Sequence, residues 1–117
     1  MRRDVEYLRD ILAAAETVRE CLHGVDRTTF LREESLRDIV ARRLTIVGEA
    51  VARLTHETRR RAPDVGWAEV VAFRNVVVHD YFAIDWRLVW RVARRDLPVL
   101  RAQIEVLLEE LEGEGPR

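Results

Sequence analysis

Apolar residues recur every three or four positions along most of the chain, the spacing of helices that bury one face. Val5, Leu8, Leu12, Ala15 and Leu22, widened by Ile11 and Val18, stripe a first helix. Asp4 can cap it, and Gly24 ends it just past Leu22. Residues 26–34 read as a linker with a helical turn after Thr28 and with Phe30 and Leu31 tucked inward. Ser35 can cap a second helix reaching about Arg59. It carries two stripes, one of Leu36, Val40, Leu44, Val47, Val51 and Leu54, the other of Ile39, Ile46 and Ala50, so it should be buried on two sides. Gly48 in its interior costs about 1 kcal/mol relative to alanine, which predicts close approach of a neighbouring helix. Residues 59–66 are a break containing Pro63 and Gly66, and Asp64 can cap the next helix. This central helix begins at Trp67 and should end near Tyr81 to Ala83. Asp85 can cap the last helix, from Trp86 to about Glu112. Its stripe of Trp90, Ala93, Leu97, Leu100, Ile104, Leu107 and Leu111 alternates spacings of three and four, Pro98 should kink it, and Gly113 ends it.

No segment alternates with period two over a useful length, and there is no internal repeat or low-complexity tract. The expectation is an all-α, antiparallel up-and-down bundle, one domain over residues 1–112 with a frayed tail at 113–117. The apolar faces exceed what one small bundle needs, so a homodimer, the commonest symmetric assembly, is expected.

Composition narrows the function classes. Hydrophobic residues make up 48% and charged residues 35% of the 117, which fits a globular chain rather than a disordered one. A net charge of −1 supplies no global field for nucleic acid or anionic lipid, so any RNA contact must come from a local patch. All 20 basic residues are arginine, so every cationic contact has the forked geometry suited to phosphate; coding bias is the plainest reason for the missing lysine. Cys21 is alone and can form no intramolecular disulfide. Nothing approaches the roughly 18 apolar residues of a membrane span, and the first residues lack the apolar run of a signal peptide. A cytoplasmic protein with no membrane association is the expectation.

Candidate chemistry concentrates in residues 67–82, where Arg74, Asn75, His79, Asp80 and Tyr81 interrupt a run of valines and phenylalanines. Buried charge is costly unless it is paired or used. At about 100° per residue, Arg74, Tyr81, Val78, Phe82, Asn75 and His79 share an arc of about 160°. Phe73, Val76 and Val77 fill the opposite arc and should face a core. Val71, Val78 and Phe82 lie among the polar residues, so that side should also be covered, by another helix or another subunit. A core helix with a few satisfied polar residues is the plainer alternative. Glu49 either faces water or pairs with an arginine of the site, and Arg59 to Arg61 are either a solvated helix end or an RNA contact. There is no P-loop, dinucleotide fingerprint or GxSxG. His23, His56 and His79 have no ligand spacing, and neither a metal nor a cofactor is expected. An arginine and a histidine near one another suit phosphodiester chemistry. One holds the phosphate, the other moves protons, and RNA supplies its own 2′-hydroxyl nucleophile.

Arg74, His79 and Tyr81 form an R-x4-H-x-Y motif, and the chain at this point resembles the HepT-like toxins of the HEPN superfamily. The likeness extends through IVGEAVARL from Ile46, APDVGW to Trp67, FRNVVVHDYFAID, VW at Val89 and DLPVL at Asp96, covering roughly residues 36–105. Phe73 departs from the methionine expected there, a difference of packing rather than chemistry. The resemblance implies a dimeric HEPN bundle of four or five helices with the motifs of two subunits facing one cleft. It implies a metal-independent endoribonuclease acting as the toxin of a toxin–antitoxin pair. Arg74 and His79 would be catalytic, and Asn75 would support them by orienting the phosphate or His79. Tyr81 would receive AMP from an MntA-like nucleotidyltransferase antitoxin. The competing expectation is a non-catalytic nucleotide- or substrate-binding partner subunit of a nucleotidyltransferase; a third is a structural dimer with no ligand.

Overall fold

The computed structural model describes residues 2–114, the side chain of Arg2 apart. Among the described residues every regular element is helical. α1 spans Arg2–Leu22, α2 Arg27–Arg32, α3 Glu34–Arg53, α4 His56–Arg60, α5 Trp67–His79, α6 Trp86–Arg91 and α7 Leu97–Gly113. α1, α3, α5 and the α6–α7 run are the long rods of an all-α bundle, as the hydrophobic spacing requires. α1 packs on α3 and α7, α3 on α5, and α2 bridges α3 and α6. One contiguous core runs through them, from Leu8, Ile11 and Val18 through Phe30, Val40 and Val51 to Val89, Ile104 and Leu107. No helix among the described residues is long and apolar enough to cross a membrane.

The turns follow local chemistry. Gly24 takes the positive φ of 72° that ends α1. Asp26 caps α2 by accepting from the Thr29 N–H at 2.8 Å, which lengthens the expected helical turn into a short helix and buries Phe30. Asp85 caps α6 by accepting from the Arg87 N–H at 3.0 Å. Besides Asp4, two expected caps are not used. Ser35 lies inside the first turn of α3, whose N-cap is Glu33, and Gly66 rather than Asp64 occupies the N-cap of α5.

The expected second helix is broken in two. α3 stops at Arg53, and Thr55 caps α4 through the Thr58 N–H at 3.2 Å. The cause is Asp4, which sits inside the first turn of α1 rather than at its cap and is buried. Its carboxylate accepts from the Thr55 N–H at 3.2 Å, the Thr55 hydroxyl at 2.6 Å and the Thr58 hydroxyl at 2.5 Å. Burial pushes this carboxyl up, but the threonine hydrogen bonds outweigh it and hold it below its ordinary value. Arg59 then turns back to donate to the Val51 carbonyl at 2.8 Å, satisfying the end of α3. Arg61 pairs with Glu114, so two of the three arginines in the break are occupied by the chain itself. Trp67 Nε1 closes the connection on the carbonyls of Arg59 and Ala62, both at 3.1 Å.

The last helix is interrupted just before Pro98, where a kink is expected, by a widened turn. Pro98 has no N–H to offer, and the preceding Leu97 N–H reaches back five residues to the Val92 carbonyl. The turn over Val92–Asp96 is therefore widened, and the buried stripe from Ala93 to Leu111 stays in phase across it. Gly113 is the last residue of α7; of the expected tail at 113–117, residues 115–117 lie outside the described residues.

Candidate functional site

The site is laid out on α5, and α3 fixes where α5 lies. A Cβ built on Gly48 would fall 2.2 Å from Cβ and 2.6 Å from Cγ of Arg74, far inside contact distance. The glycine expected to admit a neighbouring helix thus admits the stem of the motif arginine itself. Arg74 is half-buried, and its Nε donates to Asn75 Oδ1 at 2.9 Å. No carboxylate pairs with Arg74 among the described residues, which leaves the outer nitrogens of its fork open to an anion. Glu49 points to solvent and does not pair with it.

His79 is the last residue of α5, exposed and without a side-chain hydrogen bond among the described residues. Arg74, Asn75 and His79 therefore share the helix as the spacing required. Tyr81 does not. α5 ends two residues before it, and Tyr81 opens a 3-10 turn over Tyr81–Ala83. Its hydroxyl donates to the carboxylate of Asp38 on α3. That hydrogen bond, with burial and the charges of Asp38 and Glu34, pushes the phenol up to about 12. The ring meets Trp86 edge-on at 5.6 Å, and Trp86 meets Phe30 edge-on at 6.4 Å while Arg37 lies 5.4 Å over its face. Tyr81 is thus held by α3 on one side and by the aromatic cluster of α2 and α6 on the other.

The apolar residues of α5 depart from expectation. Val77 is buried, but Val76 is 41% exposed. Phe73 is half-buried and, with Val70, lines an apolar groove of about 430 Å³ against Leu44, Val47 and Leu97. Val78 is 49% exposed and Phe82 wholly so among the described residues. The cause is the position of α5 at the side of the bundle, packed chiefly on α3. Among the described residues no group of three or more His, Cys, Asp or Glu side chains gathers as a metal site. Asp38 was missed from the sequence. Its only local signal was an aspartate in a solvent-facing position of α3, and the link to Tyr81 needs the α3–α5 register.

Comparisons with known proteins bear on this constellation. The family described as "Ribonuclease HepT-like" matches residues 11–107, a span that includes Asp38, Gly48, Arg74, His79 and Tyr81. A Methanocaldococcus jannaschii protein named a "Putative RNase" is 36% identical over 107 residues, 91% of this chain and 98% of that one. A Caldanaerobacter subterraneus protein of the same printed description is 30% identical over 110 residues, 94% of this chain and 98% of its own. A Thermococcus cleftensis protein named "Probable ribonuclease HepT" is 31% identical over 106 residues, 91% of this chain and 96% of its own. No solved structure gives a significant match. With the family's span covering the bundle from α1 into α7, the chain belongs to the ribonuclease HepT-like family.

Proposed function

We propose that this chain is a metal-independent endoribonuclease, the toxin of a toxin–antitoxin pair, with Arg74 and His79 as its catalytic residues. The observation that carries the reading is the Arg74 side chain. It is seated on Gly48, steadied by Asn75 and free of any carboxylate among the described residues, with His79 on the same helix and open to solvent. Arg74 grips the non-bridging oxygens of the scissile phosphate. His79 takes the proton of the 2′-hydroxyl, the 2′-oxygen bonds to phosphorus, and the bond to the 5′-oxygen breaks. The products are a 2′,3′-cyclic phosphate and a 5′-hydroxyl, the leaving oxygen collecting a proton from solvent or from the histidine of a second subunit. The exposed Val76, Val78 and Phe82 support a homodimer that brings two copies of α5 to one groove.

Control falls to Tyr81. An MntA-like nucleotidyltransferase antitoxin joins the Tyr81 oxygen to the α-phosphorus of ATP, pyrophosphate leaves, and the hydroxyl proton departs by way of Asp38. The AMP ester then places an anion and an adenosine at the end of α5 beside His79 and blocks the RNA. The test is incubation of the purified chain with RNA in EDTA, with end-group analysis of the products. Wild type should leave cyclic phosphate ends, while His79→Ala and Arg74→Lys should lose cleavage with helix content intact. Cleavage of a 2′-deoxy substrate, or strict dependence on added divalent metal, overturns the mechanism. Peptide mass spectrometry after co-expression with the nucleotidyltransferase should find AMP on wild type and none on Tyr81→Phe.

A further inference from the structure

The chemistry of α5 makes no use of the arginines of α6. Arg87, Arg91, Arg94 and Arg95 succeed one another at spacings of four, three and one, which gathers them on one face of α6 and of the widened turn after it. With Arg27 from the start of α2 they line one open concavity of about 660 Å³, which also holds Asp85, Leu88 and Trp90. All five arginines are exposed. Arg87 pairs with Asp85 at 3.3 Å, and Arg94 lies 5.3 Å over the ring of Trp90. Arg27, Arg91 and Arg95 make no hydrogen bond or ion pair among the described residues. Five cations therefore face one carboxylate, in a chain whose net charge is −1. General basicity does not account for such a cluster, and its members repel one another unless an anion joins them.

Its position ties it to the site. The concavity begins at Asp85 and Arg87, flanking Trp86, and Trp86 is the residue whose ring meets Tyr81. From Arg87 to Arg95 the helix advances about 12 Å, more than a single compact anion occupies and enough for successive phosphates of a strand. Guanidinium forks grip phosphate oxygens in pairs, and a guanidinium stacked on an indole offers a flat face on which a base can lie. We propose that this concavity is a second RNA-binding surface, which holds the backbone of the single strand outside the cleaved step. The inference rests on RNA being the substrate, as proposed above; it is tested by binding rather than by cleavage.

The experiment is fluorescence anisotropy with a 2′-O-methyl RNA oligonucleotide, which lacks the nucleophile, titrated between about 50 and 200 mM salt. Wild type is compared with Arg27→Ser/Arg91→Gln/Arg95→Gln, whose fold is checked by circular dichroism and whose altered side chains make no bond to the rest of the described chain. At about 0.7 per phosphate contact, the triple variant should lower the slope of log K against log salt by about 2. Over that salt range wild type should lose about 20-fold more affinity than the variant. Cleavage of a dinucleotide should be equal in the two proteins, and cleavage of a long RNA slower in the variant. An unchanged slope overturns the inference and leaves the nuclease reading standing. A reduced slope in a protein that cleaves nothing does the reverse. Failure of wild type to bind the oligonucleotide, or displacement of the strand by inorganic triphosphate as readily as by an unlabelled strand, overturns it as well.

Discussion

Gly48→Ala puts the placement of Arg74 to the test. The added Cβ would lie 2.2 Å from Arg74 Cβ, and neither atom can rotate away, because each is fixed to its own backbone. Carbon atoms pack at about 3.5–4.0 Å, so α5 must retreat from α3 by about 1.5 Å at this point. Two stability effects oppose each other. Alanine gains about 1 kcal/mol over glycine inside a helix, and forcing a methyl into a packed contact costs about 1–3 kcal/mol. The net loss should lie between nothing and about 2 kcal/mol. Activity has no such offset, because a misplacement of about 1 Å in a catalytic group costs on the order of 100-fold. The expected signature is a folded protein of nearly normal stability whose RNA cleavage falls by about two orders of magnitude. Denaturant unfolding and a quenched-fluorophore RNA assay in EDTA read the two quantities. Gly113→Ala is the control, since a Cβ there meets nothing within 4 Å. Cleavage at the wild-type rate in Gly48→Ala would show that the α3–α5 contact does not place Arg74 and would refute the reasoning.

Asp38→Asn removes the charge that holds the Tyr81 proton, so the phenol should titrate well below the present value of about 12, nearer the ordinary 10.0. Tyrosinate absorbance, differenced against Tyr81→Phe, reads it, and an unmoved titration would mean that Asp38 is not the cause. Asp4 contributes stability above its unfolded pKa, and that contribution is lost as the pH falls through its lower folded value. Asp4→Asn should therefore lose about 1–3 kcal/mol near neutrality and show a shallower acid transition; equal acid unfolding of the two proteins would contradict this. Val78→Glu should convert the proposed dimer to a monomer of unchanged stability, since Val78 is 49% exposed within one chain. Light scattering decides it, and an unaltered mass rules out Val78 as an interface residue.

The long stripes were legible because burial enforces them. The residues from Ala93 to Leu111 that alternate by three and four are buried in the structure. Gly48 could be read as a close approach, because a glycine in mid-helix needs a reason. That the approaching atoms belong to Arg74 could not, since it depends on the register of two helices whose touching residues lie 26 apart in sequence. The break after Arg53 was invisible for a related reason. The apolar spacing continues through Leu54, and the helix is ended by a carboxylate 51 residues earlier in the chain. The pattern of Val76 to Phe82 contains no breaker and predicts a helix through Tyr81; the structure ends α5 at His79. The spacing of Arg87, Arg91, Arg94 and Arg95 is legible in the sequence, but the denser run at Arg59 to Arg61, most of which serves the fold, gives the stronger local signal.

The two contacts that fix the motif lie at opposite ends of one helix. Asp38, near the start of α3, holds Tyr81 beyond the end of α5, while Gly48, near the end of α3, seats Arg74 in its middle. The two helices are therefore antiparallel, and α3 is the template along which the motif is laid. Between its two contacts α3 advances about 15 Å, whereas seven residues of continuous α-helix from Arg74 would advance only about 10.5 Å. α5 ends at His79 and a 3-10 turn opens at Tyr81, whose side chain reaches the rest of the way to the Asp38 carboxylate. The same break leaves His79 at a helix end, exposed and without a partner among the described residues, which is the condition under which an imidazole can exchange protons with a substrate.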